Sequence, residues 1–218
     1  MVKILITGYM HSGTTMLHQL IKAHPQVGWI ENEECYIEYD KPKEWVLMFA
    51  KKKVENLKTH AWGEKIPWGH RESDAKGKRI IKIISKWLEY FPHQARVLHI
   101  LRHPLDVALS GQGSNLVLPD FEKIIDSVPN VIDFINKCGK TCATVVYEDL
   151  LTNPHSHLRN IFDFLNLASS NKIIKTVMSN PSLKFEGINA NRAFAHRLKN
   201  IDLKIDYKVF TDPIERRL

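Results

Sequence analysis

An apolar run, Val2 to Thr7, leads without interruption into Gly8-Tyr9-Met10-His11-Ser12-Gly13-Thr14-Thr15. The spacing is G-x-x-x-x-G, that of a phosphate-binding loop set between a buried strand and a helix. Such a loop turns several backbone N–H groups and a helix dipole onto one anion. Gly8 and Gly13 allow the backbone angles and close approach that a side chain would block. Ser12, Thr14 and Thr15 add hydroxyl donors where the helix opens. Thr14 occupies the position that holds Lys in nucleotide-hydrolysing P-loops, so the phosphate-like group expected here is not an ordinary nucleotide γ-phosphate.

The rest of the chain reads as strands alternating with helices. Thr14 to Ala23 has Leu17, Leu20 and Ile21 on one helical face and stops at His24-Pro25. Val27 to Ile30 suggests a second short strand, followed by the acidic residues Glu31, Glu33 and Glu34. Lys43 to Lys58 is helical, with Val46, Phe49, Ala50, Val54 and Leu57 inward. Thr59 to Lys78 has no clear period and reads as a loop or lid. Arg79 to Ile84 and Arg96 to Leu101 read as strands, with a short helix from Lys86 to Phe91 between them. Pro104 begins a helix to about Gly111. Phe121, Ile124, Ile125 and Val128 form a helical stripe that Pro129 breaks or kinks and Val131, Ile132 and Ile135 resume. Thr144 to Tyr147 is a strand. Asn153-Pro154 opens a helix carrying Leu158, Ile161, Phe162 and Leu165. One further helix and a basic tail follow Ala168.

This alternation predicts an α/β fold, a central and mostly parallel sheet flanked by helices, in one domain spanning residues 1–218. Ligands of such sheets bind at the carboxyl ends of the strands, so the loops after Thr7, Leu101 and Tyr147 should share one rim.

The formal net charge of +7 suits an anionic ligand. It also suits nucleic acid, but the charge is scattered and no aromatic-basic repeat accompanies it, so nucleic acid is not expected. Cys35, Cys138 and Cys142 are read as reduced thiols, and the C-x-x-x-C pair lacks the second pair that a metal site needs. No metal is expected. No apolar run reaches the ~20 residues of a spanning helix. No signal peptide is visible ahead of the first strand, and a cytoplasmic location is the simplest expectation.

A second segment is Leu101-Arg102-His103-Pro104-Leu105-Asp106-Val107-Ala108-Leu109-Ser110. Arg102 follows a strand end, where its planar fork can meet an anion, or can pair with Asp106 or another carboxylate. Together the two segments resemble the sulfotransferases that use 3′-phosphoadenosine-5′-phosphosulfate (PAPS), a family with a P-loop NTPase-like α/β fold. The first motif of that family resembles [RK]-[ST]-G-T-T, here His11 to Thr15, with His24-Pro25 at the helix end. The second resembles a strand followed by R-[DH]-P-x-D-x-x-x-S, here Val97 to Ser110. Val145 to Leu167 looks like its Tyr-Glu-Asp-Leu segment, and Trp62 to Pro67 is similar to its Lys-x-Pro element. The resemblance spans Val2 to Leu167.

The resemblance implies roles. The backbone of Ser12, Gly13, Thr14 and Thr15, with the Thr hydroxyls, would hold the 5′-phosphosulfate. Arg102 and Ser110 would hold the 3′-phosphate. Tyr147 would lie near the adenine side. Arg192 or Arg197 would supply the basic C-terminal contact, although the usual Arg-Lys-Gly pattern is absent. His11 stands where the family has Lys or Arg. It would act at the bridging oxygen of the leaving phosphate, as a cation sustained by the bound dianion or as a neutral hydrogen-bond donor. Lys65 would contact the sulfuryl group or acceptor, with Lys82 a rival. Glu31 is the expected base, with Glu33 and Glu34 as alternatives.

The expected activity is transfer of a sulfuryl group from PAPS to a hydroxyl or amine of a small-molecule, carbohydrate or peptide acceptor. The alternatives are a P-loop kinase or NTPase, with Tyr147-Glu148-Asp149 as a magnesium-binding strand end, or a catalytically inactive relative that binds PAPS or another anion. Acceptor identity and oligomeric state are not readable from the residues.

Overall fold

The computed structural model describes residues 1–28, 42–54, 59–69, 76–111 and 121–180. Within them, four strands form one parallel sheet: β1 (Val2–Tyr9), β2 (Ala61–Trp68), β3 (Ala95–Leu101) and β4 (Cys142–Val146), in the order β2-β1-β3-β4. Parallel pairing requires crossovers in place of hairpins. Helices α1 (Thr14–Lys22) and α2 (Lys43–Val54) fall between β1 and β2, α3 (Lys78–Tyr90) between β2 and β3, and α4 (Pro104–Gly111) with α5 (Phe121–Lys137) between β3 and β4. Helices α6 (Tyr147–Thr152), α7 (Pro154–Phe164) and α8 (Asn171–Met178) follow β4. The chain adopts the expected α/β architecture, with helices on both faces of a parallel sheet.

Alternation along the strands assigns the layers. Ile4 and Ile6 of β1 join Leu98 and Ile100 of β3 in a core with α1, α7 and α8. Leu5 and Tyr9 join Val97 and Leu101 in the opposite core, with α3 and α5. A strand covered on both faces reads as a nearly continuous apolar run, which is why Val2 to Thr7, with Lys3 its only charged residue, reads so plainly as one. From β1 the chain passes first to β2 on one side and then to β3 on the other. The order therefore reverses beside β1, and the crevice at its carboxyl end is a topological switch point.

Three expectations need correction. Thr59 to Lys78 is not a loop: residues 61–68 form β2, paired along β1 from Val2↔Ala61 to Tyr9↔Trp68. Its charged residues Glu64 and Lys65 are buried with Trp62, Ile66 and Trp68, and they hide the apolar character that strands usually show. Arg79 to Ile84 is not a strand but the first half of α3. Ile80, Ile83, Ile84 and Trp87 are its buried residues, at the i, i+3, i+4, i+7 spacing of a helix. Lys82 is thereby moved to the exposed face of α3. Tyr147 opens α6 and does not end a strand.

Smaller differences follow the same logic. Pro129 lies inside α5, which is continuous from Phe121 to Lys137, and buried Val128 and Val131 seat both halves on one core. Val27 makes a single parallel bridge to Ala61 and Gly28 N–H donates to Ala61 O at 2.8 Å, while Trp29 and Ile30 of the expected strand lie outside the described residues. His24 ends α1 as a brace. Its Nε2–H donates to Ala168 O at 2.8 Å, and its Nδ1 accepts from Gln26 N–H at 3.1 Å. Both nitrogens are thus used by the neutral ring, and burial lowers its pKa from the ordinary value.

Candidate active site

The loop after β1 is built around two left-handed residues. Tyr9 to Ser12 is a tight turn closed by Ser12 N–H donating to Tyr9 O at 3.0 Å, with His11 at φ 65°. Gly13 follows at φ 100° and caps α1 without a side-chain hydrogen bond. The N–H groups of a first helical turn have no intrahelical partners, and here no capping side chain or acidic residue competes for them. The helix therefore presents its positive end to whatever occupies the loop. Gly13 is irreplaceable on steric grounds as well, since an added Cβ would lie 2.5 Å from Tyr147 Cδ2.

A cavity of about 450 Å³ opens over this loop, lined by Met10, His11, Gly13, Thr14, Thr15, Lys65, Pro67, Arg102 and Ser110. Three segments far apart in sequence converge there. β1 and α1 bring the loop, β2 brings Lys65, and the β3–α4 segment brings Arg102 just past the strand and Ser110 from the last turn of the helix. No carboxylate is among these lining residues, whereas Lys65, Arg102 and three hydroxyl side chains are.

Lys65 is held by register. Its strand partner is Ile6, two residues before Gly8. Its Nζ donates to Thr15 Oγ1 at 3.2 Å. The ammonium thus sits at the loop whose own Lys position is filled by Thr14.

Arg102 is buried, and its guanidinium is fixed from two directions. Nη1 donates to His11 O at 3.0 Å, and Cζ stands 4.7 Å from the centroid of the Tyr147 ring. The stacked ring is the same one that lies against Gly13. Behind them, Glu148 Oε1 accepts from His103 N–H at 2.9 Å. Burial pushes the Glu148 carboxyl up from the ordinary range, and the His103 N–H and the Arg102 charge pull it back. Burial likewise raises the Tyr147 phenol. Asp106, also buried, adds a second carboxylate whose field acts on both groups.

Of the residues singled out from the sequence, His11, Gly13, Thr14, Thr15, Lys65, Arg102 and Ser110 line this one cavity. Ser12 does not. Its N–H is used within the turn, and its hydroxyl is buried over Gly8, where an added Cβ would come within 2.6 Å of Ser12 Oγ. Tyr147 stands behind Arg102. Lys82 does not line the cavity. Glu31, Glu33, Glu34, Arg192 and Arg197 lie outside the described residues. The sequence reading passed over Met10, whose only signal was its place inside the loop. It also left open the bracing of Arg102 by Tyr147. Among the described residues no group of three His, Cys, Asp or Glu side chains could hold a metal ion, and no helix is long and apolar enough to cross a membrane.

An all-parallel sheet with a glycine-bearing, phosphate-type loop at its switch point defines a P-loop-like α/β protein. No protein-family model matches the chain, and no curated protein sequence matches it either. Solved structures do. The chain is similar to the sulfotransferase domain of the Synechococcus PCC 7002 olefin synthase at a TM-score of 0.66, with 18% identity over 97% of this chain and 92% of that one. It is similar to the sulfotransferase domain of the curacin biosynthetic pathway at a TM-score of 0.58, with 15% identity over 97% and 95% of the two chains. Mouse sulfotransferase SULT7A1, solved in complex with PAP, gives a TM-score of 0.55 with 15% identity over 87% of this chain and 68% of that one. The chain therefore has the sulfotransferase fold.

Proposed function

We propose that the chain is a PAPS-dependent sulfotransferase, acting on a hydroxyl or amine acceptor. One observation supports it above the others: Lys65, Arg102 and three hydroxyl side chains, drawn from three segments of the chain, line a single cavity of about 450 Å³ with no carboxylate among them. Thr14, Thr15, Lys65 and the first turn of α1 would form one anion-binding set, and Arg102 with Ser110 would form the other. A ligand with one phosphate chain needs only the first. A nucleotide carrying both a 5′-phosphosulfate and a 3′-phosphate uses both.

The lining chemistry fits that ligand, because every charged side chain in it is cationic and the helix end is uncapped. PAPS would supply the sulfuryl group and leave as adenosine 3′,5′-bisphosphate. Lys65 and the α1 amides would offset the negative charge that grows on the leaving phosphate. His11 would donate a hydrogen bond toward the same oxygen. Arg102 and Ser110 would grip the 3′-phosphate and so select this nucleotide over ADP and ATP. Glu31 would accept the acceptor's proton, and Arg192 would add a cation from the tail.

Calorimetric binding of adenosine 3′,5′-bisphosphate, with ADP and Mg-ATP in parallel, tests the reading. Micromolar binding of the bisphosphate with at least tenfold weaker binding of ADP is the expected result. Preference for Mg-ATP overturns it in favour of a kinase.

A further inference from the structure

The tight turn at Tyr9 to Ser12 is unusual in its third residue. A positive φ at that position is ordinarily supplied by Gly or Asn, and here His11 takes it at φ 65°. A side chain in the left-handed region is strained relative to Gly, and the surroundings must hold it there. Two hydrogen bonds bear on the peptide that follows this residue. Ser12 N–H donates to Tyr9 O on one side of the His11–Ser12 peptide, and His11 O accepts from Arg102 Nη1 on the other, both at 3.0 Å. Together they fix the orientation of that peptide plane. The next residue, Gly13, is pressed by the Tyr147 ring on which the same guanidinium stacks. The loop's two left-handed residues therefore both meet the Arg102–Tyr147 pair, His11 through Arg102 at a separation of 91 residues and Gly13 through the Tyr147 ring.

We propose that Arg102 is a positioning residue for the anion loop, acting through the His11 carbonyl, in addition to any contact with a 3′-phosphate. The inference rests on the sulfotransferase reading only for the identity of the second anion. The strut itself stands on the hydrogen bond and the backbone angle. Its consequence is coupling. An anion held by the outer N–H groups of Arg102 restrains the guanidinium, and the restrained guanidinium holds the loop in the conformation that receives the first anion. The two ends of the cavity would then bind cooperatively, with the loop as the shared two-state element. Half of a nucleotide at the Arg102 end would order a loop it does not touch.

The test is amide hydrogen exchange, followed by mass spectrometry, over the peptide from Met10 to Leu17. It is run on the wild-type chain alone, on the wild type with 3′-AMP, and on Arg102→Ala and Arg102→Lys, with thermal midpoints measured in parallel. 3′-AMP carries the 3′-phosphate and no 5′ anion. Arg102→Lys keeps the positive charge beside Asp106 and Glu148 and loses the planar fork, so it decides the matter should Arg102→Ala unfold. The expected result is at least tenfold faster loop exchange in both variants, slower exchange in the wild type with 3′-AMP, and roughly fivefold weaker binding of ADP, which lacks a 3′-phosphate, to either variant. Loop exchange and ADP affinity within twofold of wild type in Arg102→Lys overturn the strut. The functional reading fails separately. Wild-type protein that shows no preference for the bisphosphate, while the variants still loosen the loop, sinks the PAPS assignment and leaves the strut standing. Variants that lose the bisphosphate preference with an unaltered loop do the reverse.

Discussion

Lys65 Nζ donates to Thr15 Oγ1 at 3.2 Å, so the cation beside the anion loop comes from the neighbouring strand and not from the loop itself. The register Ile6↔Lys65 puts it there. The arrangement brings an ammonium to a loop that has Thr at the Lys position.

Lys65→Met should therefore cut kcat by about 10²-fold, the scale on which a charge-stabilising donor in an excluded site acts. Affinity for adenosine 3′,5′-bisphosphate should fall by less than tenfold, because Arg102, Ser110 and the α1 amides remain. Lys65→Arg should recover part of the rate. Single-turnover sulfuryl transfer alongside bisphosphate titration separates the two quantities. Equal losses in rate and affinity would mean that Lys65 binds the ground state only.

His11→Ala should lower turnover by about tenfold with little change in bisphosphate affinity, as loss of one hydrogen-bond donor at a developing charge predicts. His11→Lys should match or exceed the parent rate. Parent-like turnover in both variants would show that the ring plays no part, leaving only the backbone of residue 11 in use.

Gly13→Ala should abolish nucleotide binding and lower stability by about 2 kcal/mol or more. The residue sits at φ 100°, and a Cβ there would stand 2.5 Å from Tyr147 Cδ2. Left-handed strain and the clash act together. Chemical denaturation measures the stability term. A second variant, Gly13→Ala with Tyr147→Leu, should restore part of it by opening space, while the strained angle keeps binding weak. A double variant as unstable as the single one would place the whole cost in the backbone.

How far the sequence speaks depends on where polarity sits. Val2 to Tyr9 and Ala95 to Leu101 are legible because apolar residues dominate them, with Lys3 and Arg96 their only formal charges, and the motif loops follow them directly. β2 is opaque for the opposite reason. It brings Lys65 to the cavity and buries Glu64, so its pattern is broken where it meets the site. The same residues that make it chemically interesting disguise it as a loop. α3 is opaque because six apolar-rich residues fit either period, and only extending the window to Trp87 reveals the helical stripe. The loop glycines and Arg102 could be named from spacing. That Arg102 reaches back to the His11 carbonyl, or stacks on the ring that confines Gly13, is set by tertiary packing and leaves no trace in spacing.

His99 gives a prediction for stability against pH. It lies at the centre of β3, fully buried, aligned with Thr7 of β1 and Thr144 of β4 and beside Trp68 at 6.3 Å between rings. Burial lowers its pKa from 6.5 to about 4. The folded state therefore binds fewer protons than the unfolded state between those values. The stability that neutral His99 contributes is present above pH 6.5 and is lost as pH falls from 6.5 toward 4, to a total of about 3 kcal/mol at about 1.4 kcal/mol per pH unit. His24, also lowered by burial, acts in the same direction. Glu148 acts oppositely, since its raised pKa makes the folded state hold a proton longer, a contribution lost as pH rises. Comparing the chain with His99→Gln isolates the one group from the others. Urea unfolding from pH 7.5 to 4.5 should show the wild type losing stability faster than the variant on the acid side. Parallel curves would mean that His99 is protonated in the folded protein, held by partners that its burial between Thr7 and Thr144 does not suggest.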